Sequence, residues 1–192
     1  AAVSADYFAD DHAVSSPLQH LWSMSMQGQV FLLWPVLMAV CAGLAARAGL
    51  PVRRVVAAAF STLAVVSLAW LVTAAPTDGS VYFDTRARIW EFALGSAVAA
   101  AAPWLRPRSA WMRRLVSWLG LGTLVLFCLV SIGTYPGPMA AVPMASVAAI
   151  LLCGTEPGAG TVSRLLSWRP LVALGDRSYA VYLLHWPLFV LY

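Results

Sequence analysis

The chain contains no lysine and little charge of any kind. Its 192 residues hold 12 basic and 8 acidic side chains, so 10% are charged against 61% hydrophobic, and the mean hydropathy is +0.78. That is too little charge to cover a soluble globule, which leaves an integral membrane protein. The net charge of +4 is all guanidinium. Because the arginines gather in a few short stretches, the pI of about 9.3 reads as membrane topology, and nucleic acid is excluded as a partner. Cysteine is scarce too. Cys41, Cys128 and Cys153 lie singly in apolar runs with no Cys-x-x-Cys pair, which excludes a disulfide framework and leaves packing roles. There is no Walker loop, no dinucleotide fingerprint and no metal-ligand spacing. Ala1 follows no Met, basic n-region or cleavage pattern, and Tyr192 closes inside an apolar run, so both ends are expected to continue in a longer parent.

What is present is apolar runs. Their lengths predict an all-α, polytopic transmembrane helix bundle with about six membrane segments, at approximately 29–46, 55–75, 89–102, 115–133, 139–153 and 174–192. Val55 to Ala75 carries no charge and, at about 1.5 Å per residue, crosses a hydrocarbon core of about 30 Å. Pro35 interrupts the first run and removes one backbone donor there. Arginines cluster in alternate loops: Arg47, Arg53 and Arg54; Arg106, Arg108, Arg113 and Arg114; Arg164, Arg169 and Arg177. The positive-inside rule makes those loops cytoplasmic in a multi-pass cell-membrane protein and puts residues 1–20, with Asp6, Asp10 and Asp11, outside. At least one further crossing is then expected before Ala1.

Three stretches carry polar groups that a plain membrane anchor does not need. In the first, His20, Ser23 and Gln27 fall at i, i+3 and i+7 on one helical face, bracketed by Trp22 and Trp34, with Gln29 nearby. They suit a polar pocket for a hydroxylated substrate or proton transfer, and equally an interfacial anchor with amides joining helices. In the second, Asp84, Arg88 and Glu91 stand at i, i+4 and i+7, and Glu91 lies inside an apolar run where a carboxylate needs a cation beside it. This is either a site or a structural ion pair. In the third, a helix starting near Asp176 places His185 about 14 Å along it, near the bilayer middle. Ser178, Tyr182 and His185 share a face there, and Pro187 frees a carbonyl at a bend. A helix-to-helix hydrogen bond accounts for His185 as well. The arginine loops suit an anionic donor such as a coenzyme phosphate, or anionic lipid.

Taken together, Pro17-Leu-Gln-His-Leu-Trp-Ser-Met-Ser-Met-Gln-Gly-Gln-Val-Phe-Leu-Leu-Trp-Pro, Arg88-Ile-Trp-Glu-Phe-Ala-Leu-Gly and Gly175-Asp-Arg-Ser-Tyr-Ala-Val-Tyr-Leu-Leu-His-Trp-Pro-Leu resemble, in motif and in order, the acyltransferase family 3 membrane proteins. The resemblance covers essentially the whole chain. It implies a helical bundle that moves an acyl group, commonly acetyl, from acyl-CoA on the cytoplasmic side to a sugar hydroxyl of a cell-surface polysaccharide or glycan outside. The His-Trp-Pro ending resembles the subgroup in which an SGNH-type domain follows the membrane part. Two departures stand out. Gln27-Gly28-Gln29 replaces the Glu-Glu-Gln of many members, and none of His12, His20 or His185 has the family's Arg ten intervening residues before it. The Arg-x10-His helix with the catalytic histidine is therefore expected upstream of Ala1.

The sequence thus predicts a membrane-embedded O-acyltransferase segment of EC 2.3.1 type, using acyl-CoA, normally acetyl-CoA, without a metal. On their own these residues are expected to be inactive. Glu91, Arg88 and His20 are the candidates nearest the chemistry. Trp22, Ser23, Gln27, Gln29, Ser178, Tyr179, Tyr182 and His185 would bind substrate or support the site. The competing readings are a secondary transporter or glycan-exporting carrier, which predicts internal repeats that the spans lack, and a structural membrane subunit.

Overall fold

A computed structural model describes residues 21–74, 84–130, 138–154 and 161–191. Among them are helices α1 (Trp22–Ala48), α2 (Val52–Ala74), α3 (Thr85–Leu105), α4 (Ala110–Leu129), α5 (Ala141–Cys153), α6 (Val162–Leu166) and α7 (Arg169–Leu191), with a 3-10 turn at Pro138–Ala140. No strand occurs among the described residues, as the sequence predicts.

The helix ends follow local chemistry. Gly49 takes a left-handed φ of 63°, a conformation that costs a side chain little only when there is none. There Leu50 N–H returns to the Ala45 carbonyl at 3.0 Å, and Pro51 separates α1 from α2 in a tight reversal. Asp84 caps α3 by accepting from Arg86 N–H at 2.9 Å, and Thr161 caps α6 through its side chain. Both satisfy orphan donors of a first turn.

The packed centre lies between α2 and α3. Phe60 and Leu71 of α2 are almost wholly buried, and α3 offers them Ala87, Trp90, Ala93, Ala97 and Ala100. This stripe of small residues around one tryptophan lets the helices approach closely. Ser67 sits within that contact. Its hydroxyl donates to the Arg86 carbonyl at 2.5 Å and accepts from Trp90 N–H at 2.9 Å, so α2 bridges the two groups of one helical repeat in α3. A second pair, α4 with α5, meets at Gly120, where a Cβ would lie 2.9 Å from the Ser146 carbonyl oxygen and 3.1 Å from the Ala149 Cβ.

Outside these contacts much of the surface is hydrocarbon. Leu32 is 79% exposed and Leu129 78%, which water would penalise and lipid does not. Among the described residues, three helices are long and apolar enough to cross a membrane: Met24–Ala48, Val52–Thr73 and Ala110–Leu129. The chain is a membrane protein with an all-α bundle. Several helices are longer than the apolar runs suggest. α1 begins at Trp22 rather than 29, and α3 covers 85–105 rather than 89–102. α7 starts at Arg169, so Asp176 and Arg177 lie inside the helix, not at its start, and His185 is sixteen residues along it. The sequence misplaces that start because Gly175 and the charges look like a terminus, yet the Arg177 guanidinium and the Ser178 hydroxyl bond back to carbonyls of the preceding turn and the helix continues through.

Candidate functional site

The first turns of α3 concentrate the charge. Arg88 is buried and Glu91 half-buried, with Arg88 Nε 3.4 Å from Glu91 Oε1 and Nη2 3.4 Å from Oε2. Ser67 fixes the backbone on either side of Arg88, so the pair stands on a braced turn. Asp84, expected to share this face, turns elsewhere. It holds Arg86 at 3.1 Å and accepts from the Trp70 indole at 3.2 Å, while the Arg86 guanidinium lies 4.8 Å from the Trp70 ring centroid. Partial burial alone would raise the Asp84 carboxyl. The Arg86 side-chain and backbone hydrogen bonds, the Trp70 bond and the Arg86 charge outweigh it and hold the group below its ordinary value. Its work is to cap α3, as N-cap residues do.

Glu91 opens onto a groove between α1 and α3 of about 700 Å³, whose lining includes Phe31, Trp34, Pro35, Phe92, Gly95 and Ser96. Two hydrogen bonds tie its walls. The Thr85 hydroxyl donates to Gln29 Oε1 at 3.3 Å, and the Trp34 indole donates to Ser96 Oγ at 2.7 Å. The Trp34 ring also tilts against Phe60 and meets Phe92 edge-on at 6.3 Å. The result is an aromatic, mostly apolar trough with one carboxylate. Such a site can hold a substrate hydroxyl against Glu91, while Arg88 keeps that carboxylate oriented.

The structure gathers Arg88 and Glu91 with Gln29 nearby, and places Ser178, Tyr179, Tyr182 and His185 on α7. Gln27 is exposed. His20, and the side chains of Trp22 and Ser23, lie outside the described residues. Ser178 and Tyr179 are exposed, and the Ser178 hydroxyl donates to the Gly175 carbonyl at 2.7 Å. Tyr182 and His185 are half-buried, their rings 5.5 Å apart, and His185 Nδ1 donates to the Tyr182 carbonyl at 2.6 Å. That bond leaves the acceptor lone pair of the neutral ring on Nε2. The Glu91 groove is lined by α1 and α3, not α7, so His185 does not share it, as α7 packs extensively against none of the described helices. Residues that sequence reasoning missed are Ser67 and Ser96. Their signal was a hydroxyl within an apolar run, but only the partner helix reveals its use. Among the described residues no group of His, Cys, Asp or Glu could hold a metal.

A family model described as an acyltransferase domain matches residues 4–192. The chain belongs to the acyltransferase 3 family. Its relatives include YrhL of Bacillus subtilis (strain 168), named as a candidate peptidoglycan O-acetyltransferase, at 30% identity over 96% of this chain and 30% of the relative. The peptidoglycan O-acetyltransferase OatA of Listeria monocytogenes is 28% identical over 98% of this chain and 31% of that protein. The O-acetyltransferase OatA of Staphylococcus aureus (strain NCTC 8325 / PS 47) is 28% identical over 97% and 32%. The chain therefore spans about 30% of the length of these acyltransferase 3 relatives. No solved structure matches it.

Proposed function

We propose that this acyltransferase 3 segment serves a membrane enzyme that transfers an acetyl group from acetyl-CoA to a sugar hydroxyl of a cell-envelope glycan, peptidoglycan being the leading acceptor. The observation that carries the reading is the Arg88–Glu91 pair at the end of an aromatic groove. Family membership and the peptidoglycan O-acetyltransferase relatives support the acceptor. In the reaction the hydroxyl oxygen attacks the acyl carbonyl, the carbon–sulfur bond breaks, and the coenzyme leaves as thiol with the hydroxyl proton while an ester remains on the sugar. Glu91 accepts a hydrogen bond from the hydroxyl and aims its oxygen, which contributes by orientation. Arg88 is a positioning residue that holds Glu91. The base that removes the proton is assigned to a histidine upstream of Ala1. The arginine loops face the cytoplasm, where they meet the donor's phosphates, and residues 1–20 lie outside.

The test is reconstitution of the full-length protein in proteoliposomes with acetyl-labelled acetyl-CoA on one face and a glycan acceptor on the other. The reading expects alkali-labile label on the glycan. Label that stays on coenzyme, or crosses unesterified, contradicts it and favours a carrier.

A further inference from the structure

We propose that Ser96 is a catalytic residue, its hydroxyl donating a hydrogen bond to the carbonyl oxygen of the acyl group in transfer. The inference rests on the acyltransferase reading and adds to it a donor for the oxygen on which charge develops.

A serine or threonine inside an apolar helix can turn its O–H back onto a carbonyl of the preceding turn. Thr73, Ser117, Ser146 and Ser178 do so, onto Ala69, Arg114, Val142 and Gly175 at 2.7–2.9 Å. Ser96 donates to no acceptor among the described residues. Its Oγ instead accepts from the Trp34 indole at 2.7 Å, and because the indole can only donate, the Ser96 proton is left over. A hydroxyl that accepts one bond donates a stronger one. Its place suits that donor. Ser96 is half-buried and lines the groove with Glu91, and the space beside it is open, since a Cβ on Gly95 would meet nothing within 4 Å. An O–H without an acceptor in an apolar trough is a cost that a carbonyl oxygen removes and a hydrocarbon tail does not. At about 1.5 Å per residue, Ser96 stands about 7.5 Å along α3 from Glu91 and about 15 Å from Arg106. On the acyltransferase reading it therefore lies between the carboxylate that orients the acceptor and the arginines that meet the donor, where the acyl carbonyl has to pass. As the acceptor oxygen attacks the carbonyl carbon, the π pair of the C=O moves onto its oxygen and the Ser96 bond to that oxygen strengthens. When the C=O reforms, the carbon–sulfur bond breaks and the thiolate takes the proton that the hydroxyl gave up. Ser96 keeps its own proton throughout.

The test compares Ser96→Thr with Ser96→Val in the full-length protein in proteoliposomes, since the two side chains share a shape and only threonine has a hydroxyl. The kcat for acetyl transfer to glycan is expected to be about a hundredfold lower for Ser96→Val than for Ser96→Thr, with KM little changed, as for an interaction made in the transition state. Ser96→Ala, which adds no bulk, is expected to fall as Ser96→Val does, and Ser61→Val, on the exposed face of α2, to turn over as the parent does. Equal kcat in Ser96→Thr and Ser96→Val overturns the proposal. So does a loss confined to KM for the glycan, which would make Ser96 a contact of the acceptor. A second measurement reads the contact without turnover: the infrared carbonyl stretch of bound acetyl-CoA carrying 13C at the acetyl carbonyl. It is expected at lower frequency in the parent and Ser96→Thr than in Ser96→Val, and the same frequency in all three overturns the proposal. That shift in a protein that acylates no acceptor leaves the Ser96 contact standing and fails the acyltransferase reading.

Discussion

Removing one partner of the Arg88–Glu91 pair tests whether the pair is a coupled unit. The side chains are 10% and 18% exposed and 3.4 Å apart. At an effective dielectric of about 20 their attraction is about 5 kcal/mol before desolvation is counted. Desolvation offsets much of it, so the net value of the intact pair is small, but a single substitution leaves a charge in an apolar bundle. Glu91→Gln and Arg88→Met should each destabilise by about 3 kcal/mol. The double variant should cost less than the sum, with a coupling of at least about 1.5 kcal/mol. The assay is equilibrium unfolding in mixed micelles, followed by tryptophan fluorescence, for all four corners of the cycle. Additive effects, with a coupling under about 0.5 kcal/mol, would show two independent surface charges and refute the reasoning.

Other outcomes follow from the same contacts. Ser67→Ala removes two buried hydrogen bonds between α2 and α3 and should cost about 1–2 kcal/mol in the same unfolding assay, whereas Ser61→Ala on the exposed face of α2 should change little. Gly120→Leu forces a side chain against the Ser146 carbonyl and should separate α4 from α5, read as a lost cross-link between cysteines placed on their facing sides. Asp84→Ala should cost about 1 kcal/mol of cap energy. Because the Asp84 carboxyl is lowered below 3.8, the stability it adds is present above that pH and drains away as pH falls through its lower folded value. Asp84→Asn should remove that part of the acid dependence, measured as the slope of stability between pH 5 and pH 2.

The fold class was legible because hydrocarbon runs of bilayer length admit few alternatives to helices. The Arg88–Glu91 pair was legible for a similar reason: both residues lie on one helix, three apart, and local spacing decides their contact. Asp84 shows the limit of that logic. Spacing put it with Arg88, but the N-cap geometry and the Trp70 indole from another helix drew it to Arg86. The groove was not legible, since it depends on α1 and α3 meeting through Trp34–Ser96 and Gln29–Thr85, contacts between residues 56 and 62 positions apart in sequence. His185 made a convincing motif by itself. Its Nδ1 bond to Tyr182 is local, and nothing in the pattern of α7 told which helix, if any, it would face.

The most direct measurement of the central claim is the O-ester content of glycan from cells whose only copy of the full-length protein carries Glu91→Gln. Protein level and membrane insertion are matched to the parent, and acetate is released by mild alkali. The account predicts a fall of about a hundredfold in released acetate, the scale of a lost orienting contact, with Gln29→Ala falling less because that side chain only ties the groove wall. Acetate at the parental level from Glu91→Gln, at matched protein, would contradict the assignment of this carboxylate to the acceptor.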